Sequence, residues 1–92
     1  MKASELCRKI IEDIKNRRTV DLYNAACVVD PYDAACMEAT VRAHGPLRFQ
    51  WFRFAIGDSG KVCVFDTNEN SLREGDRWAW GVDVVEPEEE KA

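Results

Sequence analysis

With 92 residues, 46% of them hydrophobic, and three Trp, four Phe and two Tyr, the chain has the length of one domain and enough apolar mass for a core. That composition excludes an intrinsically disordered protein. The net charge of −4 lies mostly at the C-terminal end: residues 1–43 sum to zero, 44–85 to −1 and 86–92 to −3. A near-neutral body lacks the basic footprint that nucleic-acid binding requires, so no nucleic-acid partner is expected.

The opening MKASELCRKIIEDIK is charged throughout and has no signal-peptide core. No apolar run is long enough to cross a bilayer. A cytoplasmic protein with no membrane partner is therefore expected. In the first segment Ser4 is the expected N-cap, and Leu6, Cys7, Ile10, Ile11 and Ile14 form one apolar stripe. The helix should end near residues 16–18. Residues 20–29 are apolar nearly all round; Asn24, Ala25 and Ala26 favour a short buried helix and Val28 and Val29 a strand, and the helix is the expectation. Asp30-Pro31 announces the next helix, because Asp caps and Pro needs no hydrogen-bonded N–H at the first position. Gly45-Pro46 stops it. Tyr32, Cys36, Ala39 and Ala43 share one small-residue face of that helix.

Residues 47–56, LRFQWFRFAI, hold four aromatic rings and read as the central strand. Alternation there changes phase. Leu47, Phe49 and Trp51 have one parity and Phe52, Phe54 and Ile56 the other, which calls for a bulge or for cover on both faces. Residues 57–60 form a turn, and 61–66 a return strand. Residues 67–76 are a polar connection in which Leu72 is the apolar anchor and Gly75 supplies a positive φ. Residues 77–85 alternate, with Trp78, Trp80, Val82 and Val84 on one side, as a half-buried antiparallel strand does. The expected architecture is α+β: two or three N-terminal helices packed on a three-stranded antiparallel β-meander. Residues 1–85 make the domain and 86–92 a disordered acidic tail.

Chemistry-bearing residues are few. His44 is the sole histidine and ends a helix, where it suits the last carbonyls and the dipole. Cys36 lies two turns away, too far for a dyad. Cys7, Cys27, Cys36 and Cys63 contain no CxxC pair and read as buried thiols, so neither zinc nor any other cofactor is expected. Asp21, Asp30, Asp33 and Glu38 read as caps and solvated acids. Arg48 and Arg53 between aromatic rings echo a single-strand nucleic-acid grip, but without basic surroundings they read as the outer face of a core strand. In general type the chain resembles the small accessory proteins of phages and mobile elements, which act by binding another protein. The expected function is thus a non-enzymatic protein-binding module, a small inhibitor or regulator; the alternative is a small-molecule-binding domain with a pocket between sheet and helices. The surplus aromatics mark Trp51, Trp78 and Trp80, with Arg48 and Arg53, as the contact residues. The partner is another protein, or a second copy in a homodimer that completes the cover of the sheet.

Overall fold

A computed structural model describes residues 1–16 and 30–88. The expected helix over 20–29 and the last four residues of the expected tail lie outside the described residues. The described chain is α+β. Helices α1 (Ala3–Asn16) and α2 (Pro31–His44) precede strands β1 (Leu47–Phe49), β2 (Phe52–Ile56), β3 (Val62–Asp66) and β4 (Arg77–Trp78), and a 3₁₀ turn follows at Ala79–Gly81. None of the described helices is long and apolar enough to cross a membrane.

The stripe expected of α1 is the face it buries: Ala3, Leu6, Cys7, Ile10, Ile11 and Ile14. The helix starts earlier than a Ser4 cap would allow. The Lys2 carbonyl accepts from the Glu5 and Leu6 amides, and the Ala3 amide donates to Val82 O at 2.8 Å. Helix α2 begins as the sequence indicates, with the Asp30 carboxylate accepting from the Tyr32 amide at 2.8 Å and the Asp33 amide at 3.4 Å. Its buried face is not the small-residue face containing Tyr32 and Ala43, both of which are exposed. Asp33, Ala34, Cys36, Met37, Thr40 and Val41 are buried instead. Larger apolar groups bury more area per residue, so Met37 and Val41 outweigh the alanines in orienting the helix.

The sheet departs from the expected three-stranded antiparallel meander. Among the described residues it has four strands in the order β3-β2-β1-β4, with β1–β2 and β2–β3 antiparallel and β1–β4 parallel. Residues 47–56 are not one strand. A two-residue turn at Gln50 and Trp51 folds them into a hairpin with Phe49 opposite Phe52 and Leu47 opposite Phe54. The phase change in the alternation is this turn. Paired residues point to the same face, so Leu47, Phe49, Phe52, Phe54 and Ile56 all face the helices, with Val62 and Val64 joining them from β3.

The expected strand at 77–85 is likewise shortened to two residues. Beyond the 3₁₀ turn, residues 82–85 leave the sheet and bind the helices. Lys2 and Asp83 form an antiparallel bridge and an ion pair at 2.8 Å, the Val84 amide donates to Met1 O at 3.0 Å, and the Val85 amide donates to Thr40 Oγ1 at 2.9 Å. Alternation in the sequence cannot tell pairing with a strand from pairing with the start of a helix.

β3 and β4 occupy opposite edges, so residues 67–76 must cross two intervening strands, about 14 Å at ordinary strand spacing. They cross the face that the helices leave open. That face carries Arg48, Arg53, Ala55, Cys63, Phe65 and Trp78 by register. Arg48 Nη2 donates to Glu69 O, and Arg53 Nε meets both Asp76 carboxylate oxygens at 3.1 and 3.3 Å. The connection therefore supplies much of the cover that a second chain was expected to provide.

Two backbone positions test this account. Gly45 has φ 87° and ψ 179°, a region open essentially to glycine, and an added Cβ would lie 3.2 Å from Gly75 O. Gly45→Ala should lower stability by about 1–3 kcal/mol in urea unfolding; an unchanged midpoint would contradict the assigned geometry. Gln50 sits at φ 53° in the hairpin turn, and removing its side chain relieves left-handed strain. Gln50→Gly should raise stability by about 1 kcal/mol, and a lowered melting temperature would argue against this turn.

Candidate functional site

Two surfaces merit chemical attention. The first runs along α1 and the hairpin. Arg8, Ile11, Glu12 and Lys15 recur at helical spacing of three or four and line a groove of about 260 Å³ with Phe49, Gln50 and Phe52. The Arg8 guanidinium lies 5.7 Å from the Phe49 ring centre, and the Lys15 ammonium 5.8 Å from that of Phe52. Such cation–π contacts hold each charge over a ring while leaving it near the surface. Trp80 packs on Phe49 with ring centres 5.0 Å apart and remains 49% exposed. Trp51, at the hairpin turn beside Gln50, is 54% exposed. Its carbonyl accepts from the Thr67 amide at 2.8 Å and from Thr67 Oγ1 at 3.0 Å, which fixes the backbone of the turn.

The five residues expected to form one contact surface are divided. Trp51 and Trp80 are exposed, Trp78 is partly buried beside Arg48, and neither arginine is a free surface group. Arg53 belongs to the ion pair with Asp76, whose side chain is 0% exposed. Arg48 is 1% exposed and lines a second, polar cleft of about 300 Å³ with Thr67, Asn68, Glu69, Ser71 and Arg73. Sequence reasoning missed the Arg8–Lys15 side of the groove, although its helical spacing was readable. It could not have found the polar cleft, whose walls come from a strand and a connection 18 or more residues apart.

Several other polar groups have structural partners. Lys9 Nζ reaches the buried Asp33 carboxylate at 2.9 Å, and this hydrogen bond holds the lysine's pKa above its ordinary value. Lys2 does the reverse for Asp83, lowering its carboxyl through a hydrogen bond. Glu38 pairs with Arg42 at 3.0 Å. Asp30 caps α2, and Asp33 and Glu38 are paired; Asp21 lies outside the described residues. Burial pushes the Cys7 and Cys36 thiols up, against the thiolate form that nucleophilic chemistry uses. Tyr32 is also raised, chiefly by a hydrogen bond with Cys36. Among the described residues no three His, Cys, Asp or Glu side chains gather as a metal site would need. No protein-family model matches the chain, and no curated protein or solved structure shows significant similarity to it.

The Arg53–Asp76 pair ties the polar connection to β2, and Asp76 also accepts from the Arg73 amide at 3.3 Å. Removing the carboxylate leaves a mostly buried guanidinium without its charge partner. Asp76→Ala should therefore cost about 3 kcal/mol of stability in urea; a loss under about 1 kcal/mol would show that the pair does not hold the connection.

Proposed function

We propose that the chain is a non-enzymatic protein-binding module, acting as a small inhibitor or regulator through the edge formed by Trp80, Phe49, Trp51 and the α1–hairpin groove. The observation supporting this reading is the pair of half-exposed tryptophans, one anchored on Phe49 and the other on a tight turn. Each leaves on the order of 100 Å² of ring surface in water. Large aromatic side chains held in place lose little entropy on docking, which is why Trp dominates interface energetics.

The groove also describes its occupant. Arg8 and Lys15 flank apolar walls of Ile11, Phe49 and Phe52, with Glu12 as the one opposing charge. A partner segment that inserts an apolar side chain and carries carboxylates beside it matches that pattern.

The test compares capture from host lysate by the wild type and by Trp51→Ala/Trp80→Ala, after circular dichroism shows the same fold. One protein retained by the wild type should be lost from the variant, with affinity about 30-fold weaker per truncated tryptophan. It should likewise be weakened by Arg8→Glu. Sedimentation equilibrium at micromolar concentration identifies a second copy of the chain as the occupant if the wild type dimerises and the variant does not. Identical retained sets together with identical sedimentation would overturn the reading.

A further inference from the structure

The polar cleft on the other sheet face is separate from the aromatic edge and contains an unresolved charge. Arg48 and Arg53 are cross-strand neighbours with opposite electrostatic situations. Arg53 is neutralised by Asp76. Arg48 is a permanent cation, is 1% exposed, and has no salt-bridge partner among the described residues. Its Nη2 donates to a carbonyl, that of Glu69, and its Nε is buried with no acceptor. A buried guanidinium with an unmet donor and no counter-charge is unfavourable unless something else supplies both.

The surroundings can hold what would supply them. Arg73 brings a second guanidinium to the same cleft and Asn68 an amide, while the single protons of the Thr67 and Ser71 hydroxyls are already donated within the connection. The lining has one carboxylate, Glu69, which accepts from Ser71 Oγ at 3.2 Å. Two cations against one carboxylate leave the cleft net positive. Thr67 Oγ1 lies 3.0 Å from Trp51 O and 3.2 Å from Glu69 O, so the connection bordering the cleft is tied to the hairpin turn. Arg–oxyanion hydrogen bonds are charge-assisted, and the planar fork of guanidinium favours two-oxygen ligands. A cleft of about 300 Å³ lies at the small end of ligand sites. We infer that the cleft, in which Arg48, Arg73 and Asn68 supply the donors and Thr67, Glu69 and Ser71 the rim, is a binding site for a small oxyanion, a carboxylate or a phosphate, that provides Arg48 with its missing counter-charge.

The test titrates the full chain with inorganic phosphate and with succinate, against sodium chloride at matched ionic strength. Binding is read from the ¹⁵N–¹H resonance of Arg48 Nε and from thermal shift. The Arg48 signal is identified by its loss in Arg48→Lys. One or both oxyanions should move that resonance saturably and raise the melting temperature where chloride does neither, and whichever acts identifies phosphate or carboxylate as the ligand chemistry. Arg73→Gln, at an exposed position whose guanidinium has no ion pair among the described residues, should keep the fold and weaken binding about tenfold. An Arg48 resonance that follows ionic strength alone, or an oxyanion affinity unchanged in Arg73→Gln, would overturn the inference and leave water as the acceptor for Nε.

Discussion

Arg48 and Arg53 stand side by side on the sheet face that the helices leave open, and the path of the second half of the chain depends on what they hold. Four short strands make a sheet with two faces, while α1 and α2 pack on one of them. The other must be crossed by residues 67–76, because β3 and β4 lie at opposite edges. A polar connection has little apolar area with which to adhere to a sheet. Its backbone and one carboxylate are held by arginines rising from β1 and β2. Charge-assisted hydrogen bonds replace the hydrophobic contact that a helix would have made.

This arrangement separates the surfaces of the molecule by chemistry. The helix-facing side of the hairpin holds Leu47, Phe49 and Phe54, and its rim emerges as the groove beside Arg8 and Lys15. The opposite side is electrostatic, with one arginine matched and the other not. A macromolecular contact and a small-anion site make different demands, flat aromatic area in one case and convergent donors in the other. The aromatic edge proposed for a protein partner and the cleft proposed for an oxyanion lie on the two faces of one hairpin. The turn at Gln50 and Trp51 joins them, since Trp51 O is the acceptor that fixes Thr67 at the border of the polar cleft.

The ends of the domain are held by short polar contacts. Residues 82–85 pair with the chain's first residues and with Thr40 in the middle of α2. Thr40 Oγ1 donates to Cys36 O at 2.6 Å and accepts from the Val85 amide, so a buried hydroxyl uses both of its capacities. An apolar residue of similar shape would keep the packing of α2 and lose the anchor of the C-terminal segment.

Local chemistry was sufficient for what the sequence alone determined: the α+β class, the apolar stripe of α1, the Asp30-Pro31 start and Gly45 stop of α2, and the positive φ of Gly75. Each depends on residues within one or two turns of one another. The aromatic anchors Trp51 and Trp80 were legible as excess apolar groups, and Arg8, Ile11, Glu12 and Lys15 were available as a helical stripe. The tertiary structure alone decided the rest. Whether a phase change in 47–56 was a bulge or a turn depended on which neighbours could pair, and pairing Phe49 with Phe52 turns every apolar residue of the hairpin except Trp51 and Ala55 to one face. The parallel place of β4, the exit of residues 82–85 toward the helices, and the division between a matched Arg53 and an unmatched Arg48 all rest on contacts 20 or more residues apart. Local propensity and alternation carry no information about such contacts, because the same residue pattern is satisfied by any partner that removes it from water.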